Sequence, residues 1–117
     1  MNVPLIIAGL ATAVAAVGHS VTGEQGVIRP MLRAPMAGVD TSRIRLGWHL
    51  STIAFLGIAL VFLLAAAGSV DAGTHRDVRH LALALGVAAA AALVAGRGRN
   101  PAGYLFAVAA VSAWLGA

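Results

Sequence analysis

From position 46 to 68 the chain runs without a single Asp, Glu, Lys or Arg, and most of that run reads "LSTIAFLGIALVFLLAAAG". No other feature constrains the fold as strongly. A helix needs about 20 mostly apolar residues to cross the hydrocarbon core of a bilayer, within a range of roughly 17–25. This run meets that length outright. It does not alternate with period two, which argues against a barrel strand. Three more apolar runs accompany it, at 3–18, 81–96 and 102–117. Each reaches spanning length once one or two flanking polar residues are included.

Composition supports the same reading. Hydrophobic residues make up 60% of the chain and charged residues 10%. A soluble domain carries about 25% charge, so too little polar surface is present to cover a globule in water. The expected fold is all-α: an integral membrane four-helix bundle in a single domain over 1–117. Its spans fall at about 3–20, 46–68, 79–96 and 101–117, and the linker 21–45 lies along the interface. In that linker "VIRPMLRAPM" mixes apolar side chains with Arg29 and Arg33, a composition suited to the headgroup region. Pro30 and Pro35 argue against one continuous helix there. The small residues of "ATAVAA" resemble a cleavage site, but no Lys or Arg precedes the first run as a signal peptide needs. That run is therefore expected to remain as a span.

Local signals mark helix ends. Asn100-Pro101 reads as an N-cap followed by proline at the first helical position. Asp40-Thr41-Ser42 offers caps for the second helix, and Thr74 with Asp77 forms a weak capping box for the third. Gly68 and Gly96 sit where helices should stop. Inside lipid, helices associate through close packing of small residues. Gly9 with Ala13, then Ala82, Gly86 and Ala90, then Gly103 with Ala107 supply such stripes, and the Gly86 stripe is expected to face another helix. Trp48, Tyr104 and Trp114 fall near the expected boundaries, where such side chains anchor.

All eight basic residues are arginine, and the net charge is +4. They fall only in the gaps between apolar runs, which fits membrane topology better than nucleic acid. The first and third linkers hold Arg29, Arg33, Arg43, Arg45, Arg97 and Arg99; the second holds Arg76 and Arg79. The positive-inside bias puts the richer linkers in the cytoplasm and both termini on the outer side.

One polar constellation stands out. "GHSVTGE" closes the first span and "GWH" opens the second, so His19 and His49 sit at similar depth on consecutive helices. A break at Gly23 would turn Glu24, the sole glutamate, back toward His19. Ser20, Ser51 and Thr52 stand near enough to orient an imidazole. Two histidines and a carboxylate can bind a divalent metal, so His19, Glu24 and His49 form a candidate metal set. Two histidines at one depth can also ligate haem iron, which makes His19 and His49 candidate cofactor ligands. A third use is proton exchange. The plain alternative is a hydrogen-bonded cluster in the headgroup region. His75 and His80 are five residues apart, about 140° around a helix, a poor geometry for one metal and a better one for anchoring.

The arrangement "GHSVTGEQGVIRPML" followed by "RLGWHL" resembles small, uncharacterised four-span proteins of bacterial inner membranes, over about half the chain. The resemblance implies a fold and marks His19, Glu24 and His49, and it carries no activity. No span holds a charge near its centre, against expectation for a transporter, and no nucleophile–base pair, phosphate loop or paired carboxylate points to an enzyme. The expected function is therefore non-enzymatic: an accessory or scaffold subunit of a larger bacterial inner-membrane complex, or a homo-oligomer, with lipid and other subunits as partners and no nucleic acid. A small haem- or metal-binding protein is the main alternative, and a proton-coupled carrier acting as an oligomer is the third.

Overall fold

The computed structural model describes residues 2–34, 37–68 and 72–117, with backbone alone at Ala72 and Thr74. Four helices account for nearly all of it, and no strand occurs among the described residues. We label them α1 (Val3–Arg33), α2 (Thr41–Ala66), α3 (Ala72–Ala95) and α4 (Pro101–Gly116). Three helices are long and apolar enough to cross a membrane: Val3–Arg33, Thr41–Ala66 and His75–Ala95. The fourth is apolar but has only 16 residues, about 24 Å at a rise of 1.5 Å per residue.

Consecutive helices run antiparallel, yet the packing order is not the chain order. The main interfaces are α2 on α1, α1 on α4 and α4 on α3, while α2 and α3 barely meet. The expected four-helix bundle is thus open along one seam. Each main interface is made by a leucine lying on a glycine. A Cβ at Gly9 would come within 2.7 Å of Leu63, one at Gly116 within 2.7 Å of Leu5, and one at Gly103 within 2.8 Å of Leu93. Small residues allow this close approach, and inside lipid dispersion contacts of this kind hold helices together. Because α1 touches two neighbours, its inward positions are small: Ala8, Gly9, Ala11, Ala15 and Ala16 are all buried. Buried Thr12 donates its hydroxyl to the Ala8 carbonyl at 2.8 Å, the usual way a helix interior satisfies such a group. The opposite stripe, Val3, Ile7, Leu10, Val14, Val17 and Val21, is exposed.

The Gly86 stripe divides. Ala82 is buried, Ala90 is exposed, and a Cβ at Gly86 would meet only the Ala110 methyl at 3.9 Å. Gly86 lines an open apolar groove between α3 and α4 instead of a closed interface.

The linker departs most from expectation. Gly23 does not break the first helix: its φ and ψ are −67° and −44°. The chain continues as one π-helical turn, Glu24–Ile28, and a last α-helical turn, Arg29–Arg33. Within the π turn the Arg29 N–H donates to the Glu24 carbonyl, five residues back. The wider turn relieves the clash that the Pro30 ring would make with the carbonyl four residues before it. The helix ends where Ala34 turns to φ −131°. The parts expected of Pro35 and Met36 in the linker lie outside the described residues, and the capping box expected at Thr74 is not formed there, since α3 already runs from Ala72.

The caps read from sequence at Asn100 and Asp40 are present. Asn100 accepts from the Ala102 N–H at 3.0 Å. Asp40 accepts from the N–H groups of Ser42 and Arg43 and from the Ser42 hydroxyl. The second helix stops with Gly68 at φ +72°, whereas after α3 the left-handed positions are Arg97 and Gly98 rather than Gly96. The bonds from Ser42 and Arg43 hold the Asp40 carboxyl below the usual carboxylate range. A carboxyl depressed in the folded state stabilises the fold above its unfolded pKa, and this contribution is lost as pH falls through the lowered value. Acid should therefore fray the start of α2. Helix content followed by circular dichroism from pH ~6 to ~2 should fall in the native chain and less in Asp40→Asn, which keeps a capping oxygen without a proton to gain. Identical acid profiles would remove Asp40 as the source.

Candidate functional site

His19 and Ser20 are neighbours on α1, and Trp48 and His49 are neighbours on α2. Adjacent helical residues point about 100° apart. Where the two helices pack, each pair therefore splits, one member into the interior and one toward the outside. Two polar layers result.

The inner layer is built on Trp48. Its indole stacks flat on the His19 imidazole, with centroids 4.4 Å apart and planes 4° from parallel. The indole N–H donates to the His19 carbonyl at 3.0 Å. The ring also lies over Gly23 so closely that a Cβ there would fall 1.9 Å from its atoms. Trp48, expected as a boundary anchor, packs within the α1–α2 interface. Ser51 donates its hydroxyl to the Trp48 carbonyl at 2.7 Å, which leaves its oxygen as an acceptor. His19 Nε2, 3.2 Å from that oxygen, therefore carries the ring proton, and Nδ1 holds the lone pair. Phe55 meets the His19 ring edge-on at 6.2 Å and packs on Phe106 of α4 at 4.7 Å.

The outer layer is a chain of four side chains drawn from positions four apart on each helix, Ser20 and Glu24 on α1 and Arg45 and His49 on α2. Arg45 Nη2 lies 2.9 Å from Glu24 Oε1. His49 Nε2 lies 3.5 Å from Glu24 Oε2, and His49 Nδ1 lies 3.2 Å from the Ser20 hydroxyl. Glu24 Oε2 is buried with no hydrogen-bond partner. A proton on both ring nitrogens of His49 would set a positive charge against that oxygen.

The three candidate metal residues are therefore not gathered around one centre. Glu24 and His49 face each other in the outer layer, and His19 turns into the inner one. His19 lines an inner cleft with Phe55 and Phe106, while His49 and Glu24 line an outer hollow with Arg29 and Arg45. Among the described residues, no group of three or more His, Asp or Glu side chains is placed to hold a metal ion. The two imidazoles proposed as haem ligands bond different serines, His19 to Ser51 and His49 to Ser20. The turn-back of Glu24 toward His19 is corrected: the helix continues, and Glu24 is carried to α2 by the helix itself.

Sequence reading missed the central part of Trp48, Arg45 and Phe55. The signal was present in the spacing: Trp48, Ser51, Thr52 and Phe55 recur at helical intervals that place them on one face. At the other end of the molecule, His75 and His80 are exposed at the start of α3. There Arg79 lies 5.8 Å over the Trp114 ring, and Tyr104, at the His19 end, donates to the Gly98 carbonyl at 2.8 Å. No protein-family model matches this chain, and no curated protein or solved structure matches it either.

Proposed function

We propose that this chain is a multi-pass protein of a bacterial inner membrane that acts by packing: an accessory or scaffold subunit whose α3–α4 groove receives a membrane helix of a larger complex. The groove carries the reading. It occupies about 450 Å³ and is lined by Ala82, Gly86, Ala90 and Ala110 between the larger Leu83, Val87, Val111, Trp114 and Leu115. Small residues on a helix surface let another backbone approach closely, which is how helices associate in lipid. Val87 and Leu115 are 72% and 73% exposed, so the flanks of the groove are free to contact a neighbour. At the His19 end, His19 with Ser51, His49 with Ser20 and Arg45 with Glu24 tie α1 to α2.

Membrane insertion is supported by the exposed apolar stripes on all four helices. α4 is apolar but has 16 residues, so as the fourth span it relies on local thinning of the bilayer around it. The arginine bias supports both termini outside and the His19 end in the cytoplasm. The chain has no cysteine, so single cysteines report cleanly. Val39→Cys should label from the cytoplasmic side only and Gly73→Cys from the outer side only; the reverse pattern overturns the orientation.

Gly86→Leu tests the groove. The side chain would project into open space beside Ala110, so the protomer should keep its melting temperature. The native complex, resolved by size in mild detergent, should lose this subunit. A complex that keeps the variant at parental levels would remove the groove as its docking face.

A further inference from the structure

The cleft beside His19 is separate from the α3–α4 groove and has a different chemistry. It encloses about 490 Å³ among all four helices, within the range of about 300–1,000 Å³ typical of small-molecule sites. Its walls are apolar and aromatic, with Trp48 and Phe55 from α2, Phe106 from α4 and Ala88 from α3. It exists because α2 and α3 barely touch, which leaves that side unclosed. The lining is mostly apolar, from Val27, Phe55, Ala88, Ala91 and Phe106, so a lipid-soluble molecule is the natural visitor.

The polar atoms define what such a molecule must offer. Ser51 fixes the His19 proton on Nε2, so Nδ1 is an acceptor. Nδ1 has no hydrogen-bond partner and is not shut away from the surface, since the sole buried unpartnered side-chain atom among the described residues is Glu24 Oε2. Thr22, also on the cleft lining, commits its proton to the Gly18 carbonyl at 2.7 Å, so its oxygen is left as an acceptor. Asn100 uses its Oδ1 as the cap of α4, which leaves its amide N–H group as the donor on the cleft wall. The complementary ligand is a flat ring whose hydroxyls both donate and accept.

We propose that this cleft binds a lipid-soluble hydroquinone, with one ring hydroxyl donating to His19 Nδ1 and the ring held against Phe55 and Phe106. Aromatic side chains favour offset or edge contacts with such a ring. The oxidised quinone has only carbonyl oxygens, which would meet the lone pair of Nδ1 acceptor to acceptor. The site therefore discriminates for the reduced form. This rests on the chain residing in a membrane and does not depend on the groove having a partner.

The test uses the full chain carrying Trp114→Phe in lipid nanodiscs, so that Trp48 is the single tryptophan. Decylubiquinol, kept reduced, is titrated against Trp48 fluorescence, with decylubiquinone as the comparison. Saturable quenching is expected, with the quinol binding about five- to tenfold more tightly than the quinone, the size of one hydrogen bond. His19→Phe keeps a flat ring on Trp48 and removes both nitrogens, so it should erase that preference. Ala91→Leu narrows the cleft mouth without touching His19 and should weaken both forms about tenfold or more. Ala88→Leu serves if Ala91→Leu fails to incorporate. Linear, non-saturating quenching unchanged by these alanine variants would overturn the site, as would equal affinity for the two forms. Co-elution of the chain with the lipid disc, together with its helix content by circular dichroism, reads insertion independently, so a failure to insert is distinguished from an empty cleft.

Discussion

Replacing Gly23 with alanine should displace Trp48 and destabilise the protein by about 3 kcal/mol or more, the upper part of the range for an overpacked interior. The added carbon would sit 1.9 Å from Cε2 and Nε1 and 2.3 Å from Cζ2 of the indole. An indole is rigid, so the ring as a whole must move. Moving it breaks the 3.0 Å bond to the His19 carbonyl and the stack on the His19 imidazole. The neighbouring Gly18 is the control: a Cβ there meets nothing within 4 Å. Gly18→Ala should be neutral or stabilising by up to about 1 kcal/mol, since alanine favours the helix over glycine. Combining Gly23→Ala with Trp48→Leu should recover part of the loss, because the flexible smaller side chain can yield. Thermal unfolding in detergent followed by circular dichroism measures all three, and Trp48 fluorescence in a Trp114→Phe background adds a local probe for the two variants that keep the indole. Equal melting of Gly18→Ala and Gly23→Ala would show that the contact does not govern stability.

Gly23 also shows where the sequence stops being legible. Helix positions, the Asp40 and Asn100 caps and the stop at Gly68 were readable because each depends on neighbours within one turn. Gly23 was read as a break for the same local reason, glycine being a poor helix former. Here a partner 25 positions away decides, and the glycine is present because an indole lies flat against the helix. The residue that demands it cannot be seen from the local pattern. Nor did the two prolines disclose how Pro30 would be accommodated: one π turn absorbs it and lets the helix run to Arg33.

The candidate site was legible in one coordinate only. Sequence gave the depth of His19, Glu24 and His49 along their helices, and the structure keeps all three at the same end. Depth does not fix the direction around the helix axis, where a step of one residue is about 100°. His19 and His49 share a level and still point into different layers. A metal or haem reading needs both coordinates. The serines that hold the imidazoles, Ser51 for His19 and Ser20 for His49, carry the missing angular information, and only the packing of α1 on α2 reveals it.

Asn2 ties three helix ends together, and its replacement should be the second most damaging single change. Its Oδ1 accepts from the Leu5 N–H at 3.2 Å as the N-cap of α1, and its Nδ2 donates to the Gly116 carbonyl of α4 at 2.7 Å. Its backbone N–H donates to the Ala66 carbonyl of α2 at 3.1 Å, a bond that any residue except proline would keep. Asn2→Ala loses the first two, a cap of about 1 kcal/mol and a side-chain bond of about 1 kcal/mol, for a total near ~2 kcal/mol if they add. Asn2→Ser separates them: serine caps as well as asparagine but has no amide to reach Gly116, so it should lose about half as much. The distinction matters because α4 is the shortest helix and bridges α1 to α3. With Gly116 released, α4 should open from its far end, where the remaining tie is Arg79 Nη2 to the Ala117 carbonyl at 3.1 Å. Unfolding in mixed detergent gives the stability order, and hydrogen exchange of the last turn of α4 shows where the loss occurs. If Asn2→Ser matches Asn2→Ala, the cap contributes nothing and the Gly116 bond carries the effect; if both match the parent, the three-helix tie is not what holds α4 in place.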